Sequence, residues 1–456
     1  MASPNASAST PQWSSRFAFL MAAIGSAVGL GNLWRFPFQT GQNGGSAFVF
    51  VYLLAVIVVA YPILVGEIAI GRHKGLSAVG STSRLATDAG KTSSWGIVGL
   101  IGVIAAYLIL ATYSVVAGQV MAYSVMSFMG EFANQSADAA ATAPSLYAGT
   151  THAILWHTLF MGATIWIVSR GLSGGIERVV TILMPMFFIM LTGVSIYALT
   201  TGASGQALTY LFAPRFSELT PVVVLAALGQ AFFSIGVGMS LMITYGSFLD
   251  KKENIASASG IVAGADTLVA IVAGLMIFPI VFANGLDPAA GMGLIFNALP
   301  TVFASMPAGS IIGGLFFLLA FVAALTSSIA MLLAASLVGE EQLKLGKVTS
   351  AVAFGVVAWA IGAFTIIKPT AGPALDFVSG SVILPLGALL VAVFAGWIVP
   401  RVIMRGELQN AGDGVFRFWR MMVRYVAPII VFVTLLLGLD AKFGFGLNAF
   451  IATLGA

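Results

Sequence analysis

Long apolar segments alternate with short polar or charged breaks along almost the whole chain. A transmembrane helix needs roughly 20 mostly apolar residues, and eleven segments meet that measure. Residues 286–305 are expected to form a helical external loop between the seventh and eighth segments. The pattern predicts an all-α polytopic membrane protein whose spans cover 15–37, 47–70, 95–128, 152–169, 176–200, 222–248, 258–284, 307–338, 349–367, 375–399 and 422–439.

Glycines interrupt two of these segments, the first at residues 25–32 (GSAVGLGN) and the sixth at residues 234–240 (SIGVGMS). Irregular backbone at membrane depth survives only where it lines a hydrated site enclosed by protein. Paired interruptions in two halves of a chain are typical of the binding site of a secondary transporter. Since the two broken segments start five spans apart, the second half should be inverted relative to the first.

We therefore expect a single transmembrane domain over residues 1–456 with a 5+5 inverted repeat. Its first repeat is predicted at 15–200 and its second at 222–399, with 422–439 as an accessory eleventh helix.

Composition and charge narrow the class of protein further. Charged residues make up 8% of the 456 positions, against about 25% in soluble proteins, so most of the surface should face lipid. The net charge of +4 does not indicate nucleic-acid binding, because the cations lie in short loops beside apolar segments. Sixteen of the 20 Lys and Arg residues lie on the side of the N-terminus. This asymmetry predicts a cytoplasmic N-terminus and an external C-terminus in a plasma (bacterial inner) membrane.

Five motifs in the chain are distinctive: WSSR at 13–16, GSAVGLGNLWRFP at 25–37, NGGSAF at 43–48, GQAFFS at 229–234 and LTSS at 325–328. Together they resemble motifs of the neurotransmitter:sodium symporter family. The first three are similar to its first helix and the residues that follow, the fourth to its sixth helix and the fifth to its eighth. The resemblance covers helices one to ten and is strongest to the bacterial amino-acid branch with the LeuT-type fold. It implies a sodium-coupled amino-acid symporter that works by alternating access and is not an enzyme.

The resemblance implies two sodium sites made of oxygen ligands, which unwound backbone can supply as carbonyls. The second site has an alternative explanation, because Ser and Thr hydroxyls often bond to their own helix in membranes. The first site is expected to use Ala27, Asn32, Ser234 and Asp266 with the substrate carboxylate, and the second Gly25, Val28, Ala323, Thr326 and Ser327.

Asp266 departs from the pattern of chloride-dependent family members, which resemble one another in having Asn there and Ser one turn later. Here that second position is Ala270. A carboxylate inside the membrane is costly and indicates a functional site. We expect its charge to replace chloride beside sodium, so no chloride is required. For a second carboxylate, Glu67, the family role is to accept hydrogen bonds near amides freed by the broken sixth helix. The alternative is an interfacial position near Arg72.

For the substrate, the resemblance implies a carboxylate held by the Leu30 and Gly31 amides and the Tyr107 hydroxyl. Monoamine carriers resemble one another in having Asp at the position of Gly29, so the glycine favours a substrate with its own carboxylate. Two flexible methionines and a glycine in the expected pocket favour a large apolar or aromatic side chain. The residues predicted to bind substrate are Ala27, Leu30, Gly31, Val103, Tyr107, Phe233, Ser234, Gly236, Met239, Ser327 and Met331.

The predicted gates follow the same resemblance. Arg35 and Asp376 should close the outer vestibule with Gln230, while Glu341 matches the acidic partner of an inner gate. The cation expected just before Trp13 is absent, so how this inner gate closes is left open.

In the fifth helix, Gly175 and Pro185 have the spacing of family members in which this helix unwinds. Both residue types are frequent in membrane helices for other reasons.

Other functions remain alternatives at this point. A LeuT-type symporter for another solute with a carboxylate, such as a smaller neutral amino acid or betaine, fits the same motifs. An amino-acid sensor or channel that does not transport is a second alternative. A membrane enzyme is disfavoured because the chain has no Cys and its three His residues lack metal-ligand spacing. The expected partners are the amino acid, sodium and lipid, with no obligatory protein partner evident.

Overall fold

The computed structural model describes residues 11–132, 149–289 and 293–447, and within those ranges helices are the only regular elements. Within the described residues of the first half, six helices belong to membrane spans and one, α4, connects two of them. They are α1 (Arg16–Ala27), α2 (Gly31–Gln42), α3 (Ser46–Lys74), α4 (Ala78–Asp88), α5 (Ser93–Phe128), α6 (Thr150–Ser169) and α7 (Leu172–Thr201).

The second half has a similar order of long spans and short connecting helices. Its elements are α8 (Ser204–Phe212), α9 (Pro221–Ile235), α10 (Leu241–Gly246), α11 (Ile255–Ala283), α12 (Leu294–Ser305), α13 (Gly309–Gln342), α14 (Lys347–Ile367), α15 (Ala371–Ile398), α16 (Arg401–Glu407) and α17 (Asp413–Asp440).

Nine helices in the described part of the chain are each long and apolar enough to cross a membrane, and α1 and α2 form a tenth span bent by 50°. The sixth predicted segment consists of α9, with 15 residues, and α10, with 6. All eleven predicted segments are therefore helical, and the structure confirms a polytopic all-α fold with broken first and sixth segments. The eleventh starts at Asp413 rather than at 422, and the loop before α13 contains the helix predicted there as α12.

The two breaks have different backbone geometry. Val28 after α1 is extended, with φ −68° and ψ 113°, before the chain becomes helical again at Gly31. After α9, Gly236 and Gly238 have φ values of 71° and 90°. These left-handed conformations suit glycine because it has no Cβ. The backbone groups freed at both breaks face the interior of the bundle.

Glu67 on α3 satisfies part of the second break. It is fully buried, and its carboxylate accepts hydrogen bonds from the Gly238 amide at 2.7 Å and the Met242 amide at 3.3 Å. An unpaired amide at this depth would cost several kcal/mol, so Glu67 stabilises the broken conformation. The geometry excludes the alternative of an interfacial Glu67 near Arg72, which instead forms an ion pair with Glu407 at 3.1 Å.

Glu407 on α16 anchors a network at one end of the bundle. Besides Arg72, it lies 2.8 Å from the Lys251 ammonium and 3.0 Å from Nδ1 of His73. Burial by itself raises the pKa of Glu407. The hydrogen bonds from His73 and Lys251, together with the positive charges of Lys251 and Arg72, outweigh that effect and lower the pKa to about 2. The network ties α16 to α3 and to the loop between α10 and α11.

Candidate substrate and sodium sites

A cavity lies between the two helix breaks, against α5 and α13. Nine of the eleven residues predicted to bind substrate line it: Ala27, Leu30, Gly31, Phe233, Ser234, Gly236, Met239, Ser327 and Met331. Five further residues complete the wall: Ser26, Gly29, Ile109, Tyr113 and Leu241. The cavity therefore combines exposed backbone of both breaks with a mostly apolar lining.

The structure corrects the two predicted residues of α5. Val103 and Tyr107 do not line the cavity; Ile109 and Tyr113, six residues later, take their places. The Tyr107 hydroxyl donates to the Phe354 carbonyl at 2.7 Å. The Tyr113 hydroxyl instead accepts a hydrogen bond from the Leu30 amide at 3.1 Å.

Helix geometry describes this shift of register. A Cβ at Gly102 would lie 3.0 Å from the Gly238 carbonyl, so this glycine lies on the face of α5 that meets the second break. At 3.6 residues per turn, Tyr113 lies within about 20° of that face, whereas Tyr107 is rotated away by about 140°. Gly96 lies equally close to the face of Tyr107, so the glycines of the helix do not distinguish the two tyrosines and only the packing of α5 does.

The four residues predicted for the first sodium site meet at the edge of the cavity. Nδ2 of Asn32 lies 2.8 Å from Oδ1 of Asp266 and 3.0 Å from Oγ of Ser234. The Ser234 hydroxyl donates to Oδ2 of Asp266 at 2.7 Å, and Ala27 lines the adjoining wall. Tyr52, which the sequence analysis did not single out, lies with its hydroxyl 3.4 Å from Oγ of Ser234.

Asp266 is fully buried, and no cationic side chain in the described ranges forms an ion pair with it. A buried carboxylate is expensive unless a cation compensates it. In this structure hydrogen bonds alone stabilise the carboxylate, with Oδ1 accepting from Nδ2 of Asn32 and Oδ2 from the Ser234 hydroxyl.

The residues predicted for the second site also come together. Oγ of Ser327 lies 3.4 Å from the Gly25 carbonyl, 3.2 Å from that of Val28 and 3.1 Å from that of Ala323. The Thr326 hydroxyl lies 3.1 Å from the Ala323 carbonyl. Each hydroxyl has a single hydrogen to donate, so the cluster has more acceptor oxygens than donors. Such a set suits an oxygen-coordinated cation, although each hydroxyl also has a carbonyl of its own helix within reach.

On one side of the cavity, Arg35 covers Phe233, with its guanidinium 4.1 Å from the ring centroid. Arg35 forms no ion pair with Asp376 among the described residues, so the predicted outer gate is not closed by a salt bridge in this structure. Gln230 donates to the Gly31 carbonyl at 3.1 Å and thereby joins the two broken segments.

On the opposite side, Trp13 packs edge-on against Tyr245, with ring centroids 5.4 Å apart, and donates to its carbonyl at 3.1 Å. The Ser14 hydroxyl bonds to the Glu177 carboxylate of α7. Glu341, whose gate partner the sequence left open, accepts from the Ser77 amide at 2.7 Å just before α4. The contact of Ser14 with Glu177 joins the segment before α1 to α7.

Gly175 lies in a wide helical turn over Leu172–Glu177, and Pro185 lies inside the helix that continues from it. The predicted unwinding is not present, because α7 is helical throughout. A Cβ at Gly175 would lie 2.1 Å from the Ile167 carbonyl of α6. Close packing of the two helices thus accounts for the glycine in this conformation.

Comparisons with known proteins agree with this architecture. The model of the "Sodium:neurotransmitter symporter family" matches residues 10–148 and 145–451. An uncharacterized sodium-dependent transporter of Bacillus subtilis, YhdH, is 34% identical over 93% of this chain and 97% of its own length. A similar one from Haemophilus influenzae is 33% identical over 92% and 96%, respectively.

Among solved structures, MhsT in complex with L-phenylalanine matches with a TM-score of 0.85 and 39% identity, over 93% of this chain and 99% of MhsT. The fold, the broken helices and these matches together identify the chain as a multi-pass membrane protein of the sodium:neurotransmitter symporter family.

Proposed function

We propose that this protein is a sodium-coupled symporter that imports large hydrophobic or aromatic L-amino acids by alternating access, without a requirement for chloride. The observation that carries the proposal is the cavity between the two breaks, where apolar walls adjoin two clusters of oxygen atoms. We assign the protein to the bacterial inner membrane, with a cytoplasmic N-terminus and an external C-terminus, from the distribution of Lys and Arg.

The end of the cavity at α2 suits a carboxylate. Gly31 starts the second half of the broken helix, and the first N–H groups of a helix have no partner within it. The helix dipole adds a partial positive charge there. Tyr113 adds a hydroxyl at 3.1 Å from the Leu30 amide. These groups would bind the α-carboxylate, which would also reach sodium at Asn32.

Gly29 supports a substrate that brings its own carboxylate. A Cβ at this position would lie 3.0 Å from both the Tyr113 and the Ser327 hydroxyl oxygens. An acidic side chain would therefore crowd the cavity where it meets both clusters of oxygen atoms. The protein supplies no carboxylate from this position, so an amine without one would leave the amides of α2 and the sodium site without their anion.

The other end of the cavity suits an apolar side chain. Ile109, Phe233, Met239 and Met331 provide its walls. Methionine is unbranched and adapts to irregular shapes, which favours large or varied side chains. MhsT, 39% identical, was solved with L-phenylalanine, and this supports an aromatic amino acid as a substrate here.

Uptake into proteoliposomes tests the proposal directly. Tryptophan uptake should require an inward sodium gradient, and tryptamine should not compete because it lacks the carboxylate. Asn32→Ala and Ser327→Ala should each abolish uptake while the protein still folds. Ser328→Ala is the matched control, because its hydroxyl is buried without a hydrogen-bond partner. Uptake that persists in potassium alone would refute sodium coupling.

Charge balance supports independence from chloride. A zwitterionic amino acid adds no net charge, so the protein must compensate the sodium ions, and Asp266 is a buried carboxylate beside the first cluster. Opposite charges about 4 Å apart attract by about 4 kcal/mol at an effective dielectric constant near 20. Asp266→Asn should therefore lower sodium affinity strongly. Ala270→Ser added to it should restore uptake only with chloride present. A saturable chloride requirement of the wild-type protein, measured with gluconate as the replacement, would contradict this part of the proposal.

A further inference from the structure

Four arginines surround a concave surface where α15, α16 and α17 meet, far along the chain from either helix break. We refer to Arg401, Arg417, Arg420 and Arg424 as the arginine cluster. Together with Phe416, Met421 and Tyr425 they line a cavity of about 300 Å³. Arg417, Arg420 and Arg424 are spaced three and four residues apart on α17, so they share one face of the helix.

Within the described residues, the arginine cluster has no carboxylate counter-ion. None of its four members forms an ion pair with a carboxylate in the described part of the chain, whereas neighbouring Arg405 pairs with Asp413 at 2.6 Å. Nε of Arg424 is buried without a hydrogen-bond partner. Apart from the Ala395 carbonyl, which accepts a hydrogen bond from Arg420 at 3.2 Å, these like charges lie close together without a carboxylate of the described residues to neutralise them, and a bound anion would relieve their repulsion.

A ridge of exposed apolar side chains leads away from the arginine cluster along α17. Met421, Tyr425 and Ile429 are 51%, 50% and 65% exposed, and their spacing of four residues aligns them on the helix. Trp397 on α15 is also half exposed, and the Arg424 guanidinium lies 4.4 Å from the centroid of its ring. Trp and Tyr beside basic residues are typical of the boundary between lipid chains and headgroups.

We propose that the arginine cluster binds the phosphate of an anionic phospholipid whose acyl chains lie along the ridge. Guanidinium groups match phosphate oxygens with paired hydrogen bonds. The ridge explains why the ligand is a lipid rather than a free anion, because a small anion gains nothing from Met421, Tyr425 and Ile429. The headgroup of a zwitterionic lipid would bring its own positive charge to a surface that already carries four. A headgroup with net negative charge is therefore favoured.

Lipid binding to the delipidated full-length protein in detergent tests the proposal. Native mass spectrometry counts bound lipid, and the thermal unfolding midpoint reports stabilisation by whatever binds the folded state. We expect dioleoyl-phosphatidylglycerol to remain bound and raise the midpoint, and dioleoyl-phosphatidylcholine to do so much more weakly. This comparison needs no variant. Equal retention of both lipids, or an equal shift with inorganic phosphate, would overturn the proposal.

A double variant then locates the site. Each basic residue near an anionic lipid contributes roughly fivefold to affinity, so Arg401→Gln with Arg417→Gln should weaken phosphatidylglycerol binding by about 25-fold. Both side chains are exposed, and the fold should tolerate their loss. Arg84→Gln with Lys252→Gln removes the same charge from exposed positions elsewhere and should change nothing. Unchanged binding in the first variant, or equal losses in both, would place the lipid elsewhere.

Discussion

Two tyrosines on α5 allow a direct test of the substrate site, because they differ only in the face of the helix that they occupy. The Tyr113 hydroxyl lines the cavity and accepts from the Leu30 amide at 3.1 Å. The hydroxyl also lies within hydrogen-bonding reach of Ser327, and we expect its hydrogen to turn to a substrate carboxylate when one is bound. The Tyr107 hydroxyl is occupied by the Phe354 carbonyl at 2.7 Å and does not reach the cavity.

The expected magnitudes differ accordingly. A hydrogen bond to a charged group contributes about 1.5–3 kcal/mol, so Tyr113→Phe should raise the Kd for amino acid by about 10- to 150-fold. Tyr107→Phe removes a bond between neutral groups and should lower stability by about 1 kcal/mol while leaving the Kd unchanged. Both variants remove one oxygen and keep the ring, so each is the matched control for the other.

The assay is equilibrium binding of radiolabelled tryptophan or phenylalanine in sodium buffer, with thermal unfolding measured on the same samples. Tyr113→Phe should lose affinity for the amino acid, and its unfolding midpoint without substrate should also fall because the Leu30 amide loses its acceptor, whereas Tyr107→Phe should lower the midpoint and keep the affinity. Loss of affinity for the amino acid in Tyr107→Phe but not in Tyr113→Phe would show that the wrong face of α5 has been assigned to the substrate.

Three further predictions follow from contacts outside the cavity. Gly175→Ala should destabilise the protein by about 1–3 kcal/mol, because its Cβ would lie 2.1 Å from a carbonyl of α6. Gly174→Ala is the control, since its Cβ would meet no atom within 4 Å and should be tolerated. Equal unfolding midpoints of the two variants would contradict this prediction. Because the pKa of Glu407 is lowered from 4.5 to about 2, its stabilising effect is complete above pH 4.5 and lost as the pH falls towards 2. The difference in midpoint between wild type and Glu407→Gln should therefore shrink on acidification. Glu177→Gln should weaken the contact with Ser14 and increase labelling of a cysteine introduced in the substrate cavity from the N-terminal side; unchanged labelling would exclude that contact as a gate.

The sequence by itself determined the class of the protein and the location of its breaks. Hydrophobic length fixes most spans to within about five residues, since a helix must cover the hydrocarbon thickness, while the eleventh begins well before its predicted start at 422. Glycine-rich interruptions fix the breaks, since irregular backbone must lie inside the bundle. Asp266 was recognisable for the same reason, because an ionisable group in an apolar segment needs a partner. Each of these inferences depends on local composition alone.

The tertiary structure decided which of the two tyrosines of α5 faces the substrate cavity. It also decided which groups the carboxylates of Glu341 and Glu177 contact. Tyr107 and Tyr113 lie in equally apolar stretches of α5, and their contrast arises only from how that helix packs against the second break. Glu341 bonds to the amide of Ser77, and Glu177 rather than Glu341 meets Ser14. These contacts join residues more than 150 positions apart in the sequence. A pattern along one segment reports its own periodicity, while the rotation of a helix and the partner of a side chain depend on every other segment packed around it.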